Sequence, residues 1–375
     1  HLGAEDVREL IRMGGTVLGT TNRDNPFACP GENPGDPSVN RSAEVLDNAH
    51  RAGLEALIII GGDGTLRIAS DLGRLGLKVV GVPKTIDNDL ASTDYTFGFW
   101  TAIGTATEAL DRLRDTAESH HRVMVLEVMG RDAGWIALHA GVSGAADVIL
   151  IPEIPYRAER VAEEVEARRG RGQAFSIIVV AEGAKPHGGE KSYVEAVPPA
   201  GAPRLGGAGE RLARELAALG DFEVRVTVLG HLQRGGSPVP MDRLLATGFG
   251  ERAARLALTG RTGRMVCLGE SGDICDTDLG QAVRHTKQVD SEGDLVRTAR
   301  SVGISFASDQ HLTMQGPVDV RRAFCDPFSD FHHRVTHAFP LARTFSARPP
   351  ASCRRVVRPA LAAGRPARAV SGEAS

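Results

Sequence analysis

Two polar loops, each directly after a short apolar run, hold most of the residues in this chain that could do chemistry. The first, Gly61–Thr65, reads Gly-Gly-Asp-Gly-Thr, and the second, Pro83–Asp89, reads Pro-Lys-Thr-Ile-Asp-Asn-Asp. Glycines let the backbone approach a phosphate, and free N–H groups at a helix start favour an anion. In the second loop, Lys84 can pair with phosphate and Asp87 can accept a proton from a hydroxyl substrate. Together the loops indicate phosphoryl transfer.

A metal ion fits the same two loops, because carboxylate oxygens that bridge through Mg²⁺ to phosphate are common in phosphoryl transfer. Asp63 and Asp89 are the candidate ligands. A purely structural interpretation stays open for each loop: Asp63 would cap the following helix, and the second loop would be an Asx-rich turn. The first loop is not a Walker loop, since no Gly-Lys-Ser/Thr follows it.

Apolar runs and helix-like stretches alternate along the chain and must position these loops. The runs with strand character are Glu55–Ile60, Leu77–Val82, Arg122–Val128, Asp147–Ile151, Phe175–Ala181 and Glu223–Leu229. The helix-like stretches are Ser42–Gly53, Leu66–Gly76, Phe99–Ala117, Trp135–Ala145, Ala158–Arg169, Ala208–Leu219 and Asp242–Leu258. Such alternation predicts an α/β fold with parallel strands between helices. Ligands bind at the carboxyl ends of such strands, where both loops lie.

Three further strand ends carry polar residues. Met129-Gly130-Arg131 follows one run, Glu182 follows another, and His231 with Arg234 follows a third. The planar fork of arginine suits phosphate, and a histidine beside it suits a sugar phosphate. Each residue alone is explained as well by capping, packing or surface exposure. Charged groups after successive strands are harder to explain by stability alone.

The composition excludes several other classes of protein. A formal net charge of −3 argues against a nucleic-acid binder, and an aromatic share of 5% weakens a base-stacking role. No apolar run is long enough for a membrane span, and no export signal opens the chain. The five scattered cysteines form no zinc spacing and suggest a reducing, cytoplasmic setting.

Both ends of the chain look unusual. The sequence opens with His1 instead of Met, which suggests a fragment. Residues 309–375 are rich in Arg and Pro, contain no Lys and lack a helix or strand period. This segment is predicted to be a poorly ordered tail.

From about Gly14 to about Ser305, the motifs together resemble those of the 6-phosphofructokinase family. The most specific are Thr85–Asp89 and Thr227–Pro238, which reads Thr-Val-Leu-Gly-His-Leu-Gln-Arg-Gly-Gly-Ser-Pro. The others are Gly14–Gly19, Gly61–Thr65, Thr93–Tyr95 and Val128–Arg131. The resemblance implies two lobes, each a mostly parallel sheet flanked by helices, with the active site in the cleft between them. The first lobe would use residues 1–97 and 235–283, and the second 98–234 and 284–308.

The resemblance also implies roles for the site residues. Asp87 would be the base for the 1-hydroxyl of fructose 6-phosphate, with Thr85 and Asp89 beside it. Asp63 would hold Mg²⁺, with Asp89 near the metal. The remaining expected nucleotide and phosphate contacts are Gly62, Gly64, Thr65, Lys84, Met129, Gly130 and Arg131. Glu182, His231 and Arg234 would hold the sugar phosphate. Arg122 and Arg225 would reach the 6-phosphate from a neighbouring subunit, which implies a homodimer or homotetramer with shared sites.

The phosphoryl donor has a mixed signature. Family members that use ATP have Gly at the position of Gly64, where pyrophosphate users typically have Asp. Pyrophosphate users also carry Lys at the position of Lys84, where many bacterial ATP enzymes have Gly. Free space at Gly64 is a steric requirement for a nucleotide, so ATP is favoured over pyrophosphate.

Two departures from the family pattern keep alternatives open. The family's first strand and its Gly-Gly-Asp-x-Pro-Gly loop are absent from this sequence, which would expose a neighbouring strand edge. The loop Thr20–Asn25 is one residue longer than usual, so Arg23 is the expected nucleotide-contacting arginine. A non-catalytic chain that still binds sugar phosphate, and a pyrophosphate-dependent phosphotransferase, are therefore the alternatives to an ATP-dependent kinase.

Overall fold

The strands within the described residues form two sheets. The computed structural model describes residues 3–21, 24–31, 36–193 and 205–309. In chain order its strands are β1 Leu57–Gly61, β2 Val79–Thr85, β3 Phe97–Gly98, β4 Val123–Val128, β5 Val148–Leu150, β6 Ser176–Ala181, β7 Val224–Val228, β8 Arg264–Leu268 and β9 Ile274–Asp278. The first sheet runs β1-β2-β8-β9 with β3 beside β2, and the second runs β5-β6-β4-β7. Apart from the antiparallel β8 and β9, these strands pair in parallel, which confirms the predicted fold class.

Helices connect the strands and cover the sheets. In chain order they are α1 Ala4–Arg8, α2 Ser42–Arg51, α3 Asp63–Arg74, α4 Phe99–His120, α5 Trp135–Ser143, α6 Ala158–Gly170, α7 Ala208–Leu219, α8 Pro240–Leu258, α9 Leu279–Ala282 and α10 Asp294–Ser301. Short 3₁₀ turns cover Leu10–Arg12 and Gly230–Arg234. No helix within the described residues could span a membrane.

The predicted elements recur in the structure with small shifts at their ends. The largest shifts are three residues: α3 begins at Asp63 instead of Leu66, β2 ends at Thr85 instead of Val82, and α4 ends at His120 instead of Ala117. The strands β3, β8 and β9 were not predicted. Residues 310–375 of the predicted tail lie outside the described part of the chain.

The second sheet is buried on both faces. Every residue of β4 and β6 is buried, as near-continuous Val and Ile runs predict. Alternate residues of β4 point to opposite faces of the sheet. Leu126 packs in one core cluster with the apolar residues of α4 and α5. Val125 packs in another with those of α6 and α7. The helices therefore hold β4 and β6 rigidly, and the loops at their carboxyl ends start from fixed points.

The first sheet is also packed between helices. Val79 of β2 belongs to a core cluster with Leu66 of α3, and Val80 belongs to a different cluster with Phe249 of α8. Among the described strands, β1 pairs with β2 alone, and its Ile58 and Ile60 side chains are 42% and 53% exposed. The apolar surface of the first sheet is thus less completely covered at β1 than at β2.

One buried carboxylate joins the helices of the two sheets. Asp242, in the first turn of α8, is 1% exposed and accepts hydrogen bonds from the Thr101 amide at 2.7 Å and the Thr101 hydroxyl at 2.5 Å. Thr101 lies in the first turn of α4, whose early N–H groups have no partner within the helix. The Thr101 hydroxyl in turn accepts from the Val239 amide at 3.2 Å. Asp242 thus caps α4 from a distant part of the chain.

Replacing this carboxylate should destabilise the fold. Asp242→Ala leaves the half-buried amide and hydroxyl of Thr101 without their acceptor, and we expect a loss of about 2 kcal/mol in the free energy of unfolding. Urea denaturation followed by circular dichroism measures this loss. Asp71→Ala is the control, since Asp71 is 40% exposed and pairs only within α3 with Arg74. Equal midpoints for the two variants would contradict the capping role.

Candidate active site

The first loop is built for close backbone contacts. Gly62 caps α3, and Asp63 is the first residue of that helix instead of its cap. The interpretation of Asp63 as an N-cap is therefore wrong. A Cβ at Gly61 would lie 2.5 Å from the Thr65 side chain, so this position requires glycine. A Cβ at Gly64 would meet no atom within 4 Å, so the space beside the helix start is open.

The second loop turns tightly around a buried asparagine. Asn88 has a φ of 51°, a left-handed conformation that asparagine tolerates better than most residues. Its side chain donates to the Asp94 carbonyl at 3.3 Å and accepts from the Thr96 amide at 3.1 Å. The Thr85 hydroxyl accepts from the Asp87 amide at 3.2 Å. These bonds fix the backbone on both sides of Asp87.

The carboxylates of this loop are desolvated and crowded. Burial raises the pKa of Asp87, and the Asp132 charge raises it further. Burial, followed by the Asp87 and Asp63 charges, raises the pKa of Asp89 to about 6. Removing water penalises the charged form of each acid, and neighbouring negative charges add to that penalty. The cluster of Asp63, Asp87, Asp89 and Asp132 therefore favours a cationic ligand.

One atom of this cluster points to a divalent cation. Asp89 Oδ1 is buried and has no hydrogen-bond partner within the described residues. In the same part of the chain, no group of three or more His, Cys, Asp or Glu side chains could hold a metal ion. Mg²⁺ needs only one or two carboxylates when phosphate oxygens and water complete its coordination. Asp89 suits such a partial site, whereas Asp63, the other predicted ligand, pairs with Arg67 at 3.0 Å and would have to exchange that partner for the metal.

The loops of the second sheet meet each other beside Asp87. Glu182 N donates to the Val128 carbonyl at 2.9 Å, and Gly183 N donates to the Gly130 carbonyl at 3.1 Å. A Cβ at Gly183 would lie 2.1 Å from the Arg131 carbonyl oxygen, so no other residue fits this crossing. Burial raises the pKa of Glu182, as does the nearby Asp87 charge, while Arg131 lowers it. Both sheets thus contribute charged groups to one region.

Two cations act on Asp87 directly. The charges of Arg234 and Lys84 both lower the pKa of Asp87, against the larger effect of burial. Burial lowers the pKa of Lys84 itself, and the Arg234 charge lowers it further. Asp87 therefore lies between positive groups from β2 and from the 3₁₀ turn after β7. His231, in the same turn, is exposed.

Two predicted phosphate ligands lie elsewhere. Arg122 Nε pairs with Glu223 Oε1 at 2.6 Å, and Arg225 Nη2 pairs with the same oxygen at 2.8 Å. Arg122 precedes β4, whereas Arg131 follows it, and a six-residue strand separates its ends by about 20 Å. The structure does not bring Arg122 and Arg225 into the cluster around Asp87. Arg23, the predicted nucleotide contact, lies outside the described residues.

Several supporting residues were not predicted from the sequence. Gln233 is 1% exposed and accepts from the Met129 amide at 2.8 Å. Lys191 Nζ donates to the Arg131 carbonyl and to Asp132 Oδ1, both at 2.7 Å. Asn88 lies within a motif that the sequence analysis named. The signal available in the sequence was an asparagine in an Asx-rich turn, since asparagine tolerates a left-handed backbone. Lys191 and Asp132 carried no local signal, because each depends on a partner about 60 residues away.

Two mostly parallel sheets whose strand-end loops converge on one set of acids and cations define an α/β phosphotransferase. The family described as Phosphofructokinase matches residues 1–257, and the chain belongs to that family.

Similar proteins include users of both donors. The "ATP-dependent 6-phosphofructokinase" of Chloroflexus aurantiacus is 54% identical over 306 residues, which cover 81% of this chain and 83% of that protein. The "Pyrophosphate--fructose 6-phosphate 1-phosphotransferase" of Amycolatopsis methanolica is 51% identical over 292 residues, covering 78% and 82%. The solved phosphofructokinase of Saccharomyces cerevisiae matches with a TM-score of 0.61 and 31% identity, over 76% of this chain and 38% of that longer chain. Identity alone therefore does not select the donor.

The crowding of carboxylates predicts that Asp89→Asn stabilises the metal-free protein at pH 8. The pKa of Asp89 is about 6 in the folded protein and about 3.9 in the unfolded chain. As the pH rises from the unfolded to the folded pKa, the unfolded chain loses its proton first, so the free energy of unfolding of the wild type falls. The neutral amide removes a desolvated charge, and we expect a gain of about 1–2 kcal/mol at pH 8 that shrinks at pH 5. Urea denaturation in EDTA at both pH values measures it, with Asp71→Asn as the control. A variant no more stable than wild type at pH 8 would contradict the electrostatic account.

Proposed function

We propose that the chain transfers the γ-phosphoryl group of ATP to the 1-hydroxyl of fructose 6-phosphate, forming fructose 1,6-bisphosphate in glycolysis in the cytoplasm. The observation that carries the proposal is the position of Asp87. Its carboxylate has a raised pKa, lies within the field of Lys84 and Arg234, and is held on a fixed turn beside the loops of the second sheet. Membership of the phosphofructokinase family supports the acceptor, and the name printed for the Chloroflexus relative supports the donor.

Asp87 is the general base in this proposal. Burial raises its pKa, which makes the carboxylate a better proton acceptor than an exposed aspartate. As the 1-hydroxyl gives its proton to Asp87, its oxygen forms a bond to the γ-phosphorus. The bond from that phosphorus to the bridging oxygen breaks, and the electron pair leaves with ADP. Thr85, whose hydroxyl lies 3.5 Å from Asp87 Oδ2, orients the base.

Positive groups stabilise the charge on the transferred phosphoryl group. Arg131, with the Met129 and Gly130 backbone, is assigned to this role with either donor, because Arg131 and Asp87 both act on Glu182. Lys84, which acts on Asp87 directly, is assigned to it mainly when pyrophosphate is the donor. The backbone from Gly62 to Thr65 lies along the donor phosphates, where the start of α3 supplies N–H groups. Asp63 and Asp89 would hold Mg²⁺, and the bound ion would neutralise charge on the phosphate oxygens. The unpartnered Asp89 Oδ1 supports this assignment.

The sugar phosphate is assigned to the second sheet. Glu182 and Arg234 follow β6 and β7 and interact with the Asp87 charge, and His231 lies in the same 3₁₀ turn as Arg234, so the three suit the hydroxyls and the 6-phosphate. Arg122 and Arg225 lie at the other end of β4 and β7, about 20 Å away, and would serve the site of a neighbouring subunit. A homodimer or homotetramer with shared sites follows from that assignment. The division into lobes 1–97 plus 235–283 and 98–234 plus 284–308 is supported by which strands share a sheet.

Pyrophosphate is the second candidate donor. The Lys84 side chain at the end of β2 favours it, as does the name printed for the Amycolatopsis relative. Gly64 favours ATP, because the space beyond its missing side chain is open. An aspartate there would fill that space and bring a negative charge towards the nucleotide.

Removing the base should abolish turnover without unfolding the protein. We expect Asp87→Asn to lower kcat by about 10²–10⁴-fold, since proton removal is lost while the shape is kept. The assay couples fructose 1,6-bisphosphate formation to NADH oxidation, with ATP and Mg²⁺ present. Asp71→Asn, on the exposed side of α3, is the matched control. Full activity of Asp87→Asn would refute the assignment, and absence of turnover by the wild-type chain with either donor would favour a non-catalytic sugar-phosphate binder.

Two reciprocal variants separate the donors. Gly64→Asp should raise the KM for ATP by about 10-fold or more, because the new carboxylate occupies the nucleotide space and repels its phosphates. Lys84→Gly should leave most of the ATP reaction in place and remove any activity with pyrophosphate. Initial rates with each donor, at saturating fructose 6-phosphate, measure both effects. A wild-type chain that is active only with pyrophosphate would overturn the choice of ATP.

A further inference from the structure

A short segment between α9 and α10, residues 286–289, touches loops of both sheets. On one side, Thr286 forms an isolated antiparallel bridge with Leu90, and the Lys287 amide donates to the Asp89 carbonyl at 2.7 Å. On the other side, the Val289 amide donates to Glu153 Oε1 at 2.8 Å. Glu153 follows β5 of the second sheet. The segment therefore bridges the loop of Asp87 and Asp89 to the second sheet.

The side chain of Lys287 strengthens this bridge. Its ammonium group donates to the Thr93 carbonyl at 3.0 Å and to the Asp94 carbonyl at 2.6 Å. The Asp94 carbonyl is the same acceptor that Asn88 uses from within the loop. One carbonyl is thus shared by the residue that shapes the turn and by the residue that ties it to a distant segment.

Aromatic rings enclose the same ammonium group. Lys287 Nζ lies 5.1 Å from the centre of the Trp135 ring and 5.9 Å from that of Tyr95, distances at which a cation is attracted to an aromatic face. The Trp135 indole N–H donates to the Lys287 carbonyl at 2.9 Å. Trp135 begins α5, four residues after Arg131. The contacts of Lys287 therefore reach from the Asp87 loop to the helix that follows the Arg131 loop.

Burying the charged Lys287 side chain costs free energy, which an apolar side chain at this position would avoid. Burial lowers the pKa of Lys287 to about 8, with the Asp94 charge acting in the opposite direction. A methionine would fill the same aromatic pocket without desolvating a charge. What methionine lacks is the pair of hydrogen bonds to the Thr93 and Asp94 carbonyls.

We propose that Lys287 is a positioning residue for phosphoryl transfer, which holds the loop of Asp87 and Asp89 in register with the loop of Arg131. The inference rests on the proposed function, because it concerns the alignment of the base with the cations that stabilise the moving phosphoryl group. A displacement of about 1 Å between such groups can cost on the order of 100-fold in rate. Lys287 touches neither substrate in this assignment and acts through the loop backbone.

Steady-state kinetics of three variants test the inference. Lys287→Met should lower kcat by about 10–100-fold while both KM values change by less than about 3-fold, because alignment is lost and binding is kept. Lys287→Arg, which can still donate to both carbonyls, should retain kcat to within about 5-fold. Lys78→Met is the matched control, since Lys78 is exposed and precedes the opposite end of β2. A Lys287→Met variant with wild-type kcat would overturn the inference.

Amide hydrogen exchange, read by mass spectrometry, separates local loosening from unfolding and needs no turnover. In Lys287→Met, residues 88–96 should exchange faster than in wild type, while β4 and β6 keep their protection. Unchanged exchange at 88–96, or loss of protection throughout the chain, would overturn the positioning role. If the wild-type chain shows no turnover, both the proposed function and the role of Lys287 in it are wrong. If the wild type turns over and Lys287→Met is equally active, only the inference about Lys287 is wrong.

Discussion

The desolvation of Asp87 and Asp89 is the constraint on which the rest of the site depends. Two carboxylates on one tight turn, with Asp63 and Asp132 nearby, repel each other and lose hydration. Such an arrangement persists only when its backbone is fixed from several sides and cations lie close by. Asn88 supplies the internal bonds, residues 286–289 supply the external ones, and Lys84 and Arg234 supply charge. The loop of Asp87 and Asp89 therefore carries an electrostatic cost, which the bonds around it and the packed sheets offset.

That frame is the pair of parallel sheets. Val, Ile and Leu residues of β4 and β6 pack into one apolar core on each face, and the two cores hold these strands between helices. The loops at their carboxyl ends then cross closely enough that Gly183 leaves no room for a side chain against the Arg131 carbonyl. The buried strands stabilise the fold, and the residues proposed to act on the substrates lie in the loops that follow these strands.

The sequence predicts the parts of the structure whose physics is local. The runs that became β4 and β6 were recognisable because burial on both faces demands continuous apolar residues. β9 was missed because it reads Ile-Cys-Asp-Thr-Asp, and its Asp276 side chain, 3% exposed, is paired with Arg252, Arg261 and Arg264. The bond from Lys287 to the Asp94 carbonyl joins positions 193 residues apart. No spacing rule reveals such a contact, since it exists only after both sheets have formed.

Arg122 and Arg225 share one acidic partner at the end of the second sheet that lies away from Asp87. Glu223 Oε1 pairs with both guanidinium groups, and these arginines keep the pKa of Glu223 below its usual range. Because one carboxylate restrains two long side chains, any anion that displaced it would find guanidinium groups with less rotamer freedom left to lose. The same carboxylate would compete with that anion for both arginines, so the net gain would depend on the charge of the anion.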